Sequence, residues 1–176
     1  MYRNTPSAYL CPFCVVALGQ ENEHVLTRQG DIVYRDGDLT AFICSHQFEK
    51  NAGHVLVIPN THYENIYELP DRLGHSIHTL ARMLALAMKA AYTCDGITVW
   101  QSNEPAGTQT VWHYHLHVIP RFVDDGYFRS LRDVDHTYRL MEPERRAAYA
   151  HKLRRCLQAC PSADDGRGAL SRHFPQ

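Results

Sequence analysis

Val111-Trp112-His113-Tyr114-His115-Leu116-His117-Val118-Ile119-Pro120-Arg121 is the stretch whose reading decides the fold. His113, His115 and His117 fall at every second position, with Tyr114, Leu116 and Val118 around them. A period of two predicts an extended strand with the imidazoles on one face and the apolar side chains on the other. Neighbouring histidines on such a strand stand roughly 6.6 Å apart and the outer pair roughly 13 Å. One small site cannot engage all three equally, so they divide the labour or line a longer groove. The plain alternative is a polar strand face that happens to be rich in histidine. Three imidazoles in strict alternation inside an apolar run weigh against it, because so many ring nitrogens need partners.

Around this stretch the chain has the composition of an ordinary globular protein. Its 176 residues suffice for one domain with a well-buried core. Formal net charge is −1, which gives no footing for nucleic acid or a membrane surface. No stretch approaches the ~20 consecutive apolar residues of a membrane span. Met1 to Pro6 is not followed by an apolar run, so no export signal is expected. The six cysteines are Cys11, Cys14, Cys44, Cys94, Cys156 and Cys160. In a chain of this size without an export signal, the reducing cytoplasm is the expected compartment. There, a close cysteine pair points to metal or redox chemistry.

Moving towards the N-terminus, Gly53-His54-Val55-Leu56-Val57-Ile58-Pro59 reads as a buried strand that His54 enters and Pro59 stops. Before it, Asp31 to Arg35 and Leu39 to Cys44 read as two strands about an Asp36-Gly37-Asp38 turn, and the polar segment Ser45 to Gly53 as loop. Val15 to Leu18 reads as a short helix ended by Gly19. Leu73, Ile77, Leu80 and Leu84 recur at helical spacing after a proposed cap at Asp71, and Asp95-Gly96 ends that helix. His75 and His78 on it read as exposed bystanders. Ile97 to Ser102 is a further strand, and Glu142-Pro143-Glu144 opens a last helix. Short connections between strands favour an antiparallel sheet with helices on one side, an α+β fold. A single domain is expected over residues 1–161, with 162–176 as a flexible tail.

Two sets of residues carry chemistry. Cys11-Pro12-Phe13-Cys14 is a C-x-x-C whose thiolates can grip one tetrahedral zinc. A redox pair of the thioredoxin type would want a strand before it, and none is legible there. With His62 and His113 the two cysteines make a Cys2His2 set, closed to substrate and therefore structural. The opposing reading gathers all three strand histidines on a catalytic metal, but the triple is too spread along a regular strand. His115 is then the free imidazole. Unprotonated near neutral pH, it can attack phosphorus and split one hard displacement into two. His54, His117 and Thr110 are candidates to meet the phosphate oxygens, and Thr110, His117 or a water to protonate the leaving group.

The sequence resembles the histidine triad family, whose signature is three histidines alternating with apolar residues. His113-Tyr114-His115-Leu116-His117-Val118-Ile119 matches it at every position. The likeness runs through Gln109-Thr110-Val111, Gly53 to His62 and Cys11 to Cys14, over about residues 10–122, and the C-x-x-C is similar to that of the zinc-bearing bacterial branch. The resemblance implies a five-stranded antiparallel sheet with one long core helix, here followed by a C-terminal helix. It also implies a homodimer in which two sheets join, and attack at the α-phosphate of a purine nucleotide with no metal needed for catalysis. His115 takes the nucleophile's place. His117, His54, Thr110 and Gln109 take phosphate-side places. Cys11, Cys14, His62 and His113 take the zinc places. Phe13, Val16, Phe42 and Ile43 fall where the family lines its base and ribose pocket, and Asn103 matches a nucleotide-binding position. Cys44 stands where the family often carries a ribose-binding aspartate, the loop from Ser45 to Gly53 is about two residues longer, and the region after Phe122 carries little family signal. A nucleoside phosphoramidase is the reading this supports. The others are a dinucleoside polyphosphate hydrolase, a non-catalytic nucleotide-binding protein and a zinc-stapled interaction module.

Overall fold

A computed structural model of the chain describes residues 3–130, 132 and 138–159. The expected tail, 162–176, lies outside the described residues. Five strands form one antiparallel sheet: β1 (Ile32–Arg35), β2 (Leu39–Ile43), β4 (Val55–Pro59), β5 (Gly96–Gln101) and β6 (Leu116–Arg121). Their order across the sheet is β1-β2-β4-β6-β5. Two further short strands, β3 (His46–Phe48) and β7 (Tyr138–Leu140), pair with each other. Among the described residues the helices are α1 (Pro12–Ala17), α2 (Asp71–Tyr92), α3 (Tyr127–Ser130) and α4 (Pro143–Ala159). The fold is α+β, as expected.

The sheet has two different faces. Alternation along β2, β4 and β6 sends Ala41, Ile43, Val55, Val57, Leu116 and Val118 to one side. There they pack on the apolar stripe of α2, formed by Leu73, Ile77, Leu80, Leu84, Ala87 and Met88, joined by Ala150 and Leu153 of α4. The opposite face carries Phe42, Leu56 and Ile58 under Phe13 and Val16 of α1. Further along, Ile119 meets Phe48 and Tyr127. Helices therefore cover one face, and α1 with the β3–β7 ribbon and α3 covers parts of the other.

Several boundaries differ from the sequence reading. The segment 45–53, expected as loop, contains β3 and a 3-10 turn at Glu49–Asn51. Helix α1 begins at Pro12, so Phe13 and Cys14 lie inside it. Pro70, not Asp71, is the N-cap of α2, and Asp71 sits in the first turn without a side-chain capping bond. Helix α2 ends on Thr93, which takes the left-handed conformation at φ +55°, ahead of Asp95 and Gly96. The largest correction concerns the histidine stretch. Strand β6 begins only at Leu116, so His117 is the one triad histidine inside it. His113 N–H donates back to the Val111 carbonyl at 2.8 Å, and Tyr114 N–H donates to the Tyr63 carbonyl at 2.6 Å. Those bonds curl the chain away from the neighbouring strand.

The C-terminal helix is anchored by charge as well as packing. Arg146 is 1% exposed and meets the equally buried Asp31 at 2.9 Å, while its other nitrogens donate to the Leu26 and Met141 carbonyls. A buried arginine with every edge engaged fixes where α4 sits.

Candidate active site and metal cluster

The C-x-x-C puts two thiols at the start of α1, with Cys11 as the N-cap residue. His62 follows β4, and His113 lies in the curled segment before β6. The four ligand atoms lie within 4.8 Å of one another. Cys11 Sγ is 3.3 Å from His113 Nδ1, Cys14 Sγ is 3.2 Å from His62 Nδ1 and 3.6 Å from His113 Nδ1. A tetrahedral zinc with ordinary bond lengths needs ligand atoms roughly 3.3–3.8 Å apart, so the donor set and its spacing fit zinc. His113 Nε2 lies 2.9 Å from the Pro59 carbonyl. The proton must sit on that nitrogen, which leaves Nδ1 as a lone pair aimed at the cluster. Burial and the adjacent Cys11 push the Cys14 thiol up to about 12 in the absence of a cation. A crowded, half-buried thiol of this kind ionises when a cation compensates it.

The same residue, His113, also holds the next imidazole. Its backbone carbonyl lies 2.8 Å from His115 Nδ1. A carbonyl only accepts, so His115 carries its proton on Nδ1 and leaves Nε2 bare. His115 is 4% exposed, and burial lowers its pKa below the ordinary histidine value. It stays neutral at pH 7. The Phe13 ring is inclined at 77° to it, with the centroids 5.3 Å apart.

His117 and His54 form a pair. Their rings stack at 5.0 Å, with His54 Nε2 2.9 Å from His117 Nδ1. Burial drives His54 down to about 3 and His117 well below 6.5, so both are neutral. One proton is shared across that contact. His54 Nδ1 is buried with no partner among the described residues. A bare lone pair there costs less than an orphaned N–H. His54 therefore donates from Nε2, and His117 keeps a proton on its own Nε2. The rings of His115 and His117 are 4.9 Å apart, closer than a regular strand would set them. Gly53 allows His54 this position. Its φ is +97°, and a Cβ there would fall 2.5 Å from the Tyr92 ring.

The remaining sequence-derived residues divide. Phe13, Val16 and Phe42 join one buried cluster on the imidazole side, with Phe13 and Phe42 ring centroids 5.5 Å apart. Ile43 does not: it packs against α2 on the opposite face, which removes it from that wall. The physical reason is strand alternation, since adjacent residues of β2 cannot share a face. Thr110 is exposed in the loop before His113. Gln109 spends both amide donors on the Glu64 and Val111 carbonyls and accepts from Glu104 N–H. Asn103 accepts from Ile66 N–H and bonds Gln101 on both ends of its amide. In the free protein these two build the loop. Cys44 is buried with its Sγ 3.2 Å from the Tyr138 hydroxyl, and burial raises its pKa, so it stands as a thiol. Tyr138 was not legible as a neighbour of this site, because it comes from the far end of the chain.

Comparison with known proteins agrees with this arrangement. The family model described as "HIT domain" matches residues 26–124. Protein hit from Bacillus subtilis is 38% identical over 103 residues, covering 56% of this chain and 70% of that protein. Among solved structures, a Hit-like protein involved in cell-cycle regulation from Bartonella henselae superposes with a TM-score of 0.65 at 28% identity, covering 85% of this chain and 99% of its own. A Zn-bound histidine triad family protein from Mycobacterium smegmatis gives 0.64 at 25% identity, covering 85% and 94%. The alternating histidines, the paired sheet around them and the matched family model together make this chain a member of the HIT domain family.

Proposed function

We propose that this protein is a zinc-stapled nucleotide hydrolase or nucleotidyltransferase. It acts at the α-phosphate of purine nucleoside phosphoramidates or related nucleotides. The observation that carries the proposal is the His115 Nδ1 contact with the His113 carbonyl, which leaves Nε2 unprotonated on a buried, neutral imidazole. Such a nitrogen is a ready nucleophile for phosphorus. His115 Nε2 attacks the α-phosphorus, the bond to the leaving amine breaks, and the amine leaves with a proton supplied by His117, Thr110 or a water. His117 Nε2–H, set by His54, faces the phosphate oxygens as charge grows on them. Water then attacks the nucleotidyl-imidazole, loses a proton and releases the monophosphate, returning His115 to its starting tautomer. Phe13, Val16 and Phe42 supply the apolar wall for the nucleoside, while Gln109 and Asn103 hold the loop beside it. Zinc in the Cys2His2 cluster would be held by Cys11, Cys14, His62 and His113 and supplies folding energy rather than a reaction step.

In this reading the protein pairs with a second copy through the open edge of the sheet, where β5 is the terminal strand and Val99 is 46% exposed. Free thiols at Cys11, Cys14, Cys44, Cys94 and Cys156 support a reducing cytoplasm. No described helix is long and apolar enough to cross a membrane.

The test is intact-protein mass spectrometry after brief incubation with an adenosine phosphoramidate, avoiding acid, followed by peptide mapping. A nucleotidyl adduct on His115 with accumulating monophosphate is expected, and His115→Ala should abolish both. Folded, zinc-loaded protein that forms neither would overturn the reading for this substrate class.

A further inference from the structure

We propose that Phe13 is a positioning residue for His115, and that it carries the occupancy of the Cys2His2 cluster to the nucleophile. This inference rests on the reading of His115 given above. Phe13 lies between the two cysteines, inside a helix of six residues. A helix this short has no stability of its own. Its Cys11 end has no side-chain capping bond, and among the described residues Arg35 Nη2 donates to the Val16 carbonyl at 2.7 Å. What places the helix is therefore the cluster together with the packing of Phe13 and Val16. Phe13 is 8% exposed, and its ring lies steeply inclined to three others: Phe42 at 5.5 Å, His113 at 5.9 Å and His115 at 5.3 Å, with interplanar angles of 67°, 74° and 77°.

Those contacts make Phe13 more than a wall. The hydrogen bond from His115 Nδ1 to the His113 carbonyl holds one edge of the imidazole. A single hydrogen bond leaves the ring free to swing about it. The Phe13 ring limits that swing, and it can do so only while α1 stays in place. A bound metal ties both ends of the first turn, Cys11 and Cys14, to His62 and His113. Loss of the metal leaves α1 on apolar contacts, the Arg35 bond and weak thiol–imidazole contacts, and the aromatic constraint on His115 slackens. A wall residue and a positioning residue differ in what their removal changes. A wall contributes to ground-state binding, so its loss raises KM. A positioning residue sets the angle of attack, so its loss lowers kcat.

The experiment uses the full chain loaded with zinc, with Phe13→Leu and, should that variant fold poorly, Phe13→Met, which keeps the apolar volume without the ring. Zinc content and thermal unfolding confirm that each variant is folded. Nitrogen-15 NMR of the histidine side chains then reads the His115 tautomer, independently of turnover. Steady-state kinetics with an adenosine phosphoramidate read kcat and KM separately. In the zinc-loaded wild type a single Nδ1–H tautomer of His115 is expected. In the zinc-loaded variant it should give way to an averaged signal, with kcat lowered by about tenfold or more and KM changed far less. Chelating zinc from wild type should produce the same averaged His115 signal, and chelation should add little to the variant. An unchanged Nδ1–H signal in the variant, or a rise in KM with kcat intact, overturns the inference, as does a His115 signal indifferent to zinc. If wild type shows no turnover, the proposed function fails by itself, and the zinc-dependent tautomer still decides the role of Phe13.

Discussion

The two faces of the five-stranded sheet are built on different principles. On the α2 face, Val55, Val57, Val118 and Ile43 are wholly buried among aliphatic neighbours. No single contact there is indispensable, because dispersion and burial are shared among many atoms. On the opposite face, His54, His113, His115 and His117 each depend on one or two named partners. The Pro59 and His113 carbonyls fix tautomers, and the His54–His117 contact shares one proton. The lesson is that the first face is tolerant in identity and costly in volume, while the second is cheap in volume and intolerant in chemistry.

Four experiments would break or sharpen that contrast. The largest effect is expected on the imidazole face, and in rate rather than stability. His115→Ala should lower turnover by on the order of 10⁴ or more, above about 5 kcal/mol of barrier, while thermal unfolding and zinc content stay near wild type. A variant that keeps its turnover would place the nucleophile elsewhere. On the α2 face the expectation reverses. Leu84→Ala empties a fully buried position, and chemical denaturation should show a loss of roughly 2–5 kcal/mol with kcat preserved. A collapse of kcat at unchanged stability would show that the faces are coupled through the sheet.

The third experiment titrates the contrast. His54 is held near 3 and His115 and His117 below the ordinary value of 6.5 by burial. Their folded-state pKa values are lowered, so the unfolded chain takes up protons first as pH falls. Stability is highest above pH ~6.5 and declines below it, by up to about 1.4 kcal/mol per pH unit for each such imidazole. Urea unfolding between pH 7.5 and 5 should show this slope, and His54→Phe should flatten it. A flat wild-type profile would mean that the imidazoles are already solvated. The smallest effect is expected at the rim. Tyr138→Phe removes the hydroxyl facing Cys44 and should cost about 0.5–1.5 kcal/mol, measured by thermal unfolding. A larger loss would make the β3–β7 ribbon part of the structural frame of the imidazole face.

Much of the fold was legible because periodicity is a local property. The stripe Leu73, Ile77, Leu80, Leu84 and the run Val55 to Ile58 name their own elements, and each lies where that reading sets it. The ligand set Cys11, Cys14, His62 and His113 was legible too, because metal chemistry restricts residue types so strongly. What escaped was decided by partners far along the chain. Alternation alone makes His113 to His117 a straight strand, but Tyr114 N–H bonds Tyr63 across the fold, and the strand starts late. Likeness to the family set Ile43 beside Phe42 on one wall, whereas the sheet sends them to opposite faces. Cys44 faces Tyr138, 94 residues further along the chain.

The sequence by itself determined which residues are chemically able: the four soft and imidazole donors, the free imidazole of His115, the apolar stripes. These are properties of side-chain type and of spacing within an element, and both are written locally. Only the tertiary structure decided which nitrogen of His54, His113, His115 and His117 carries a proton, that the Phe13 ring packs on His115, and that Gln109 is spent on the Glu64 and Val111 carbonyls. Those outcomes depend on which carbonyl or ring arrives within about 3–6 Å from a distant segment, and long-range chain closure is what brings it there.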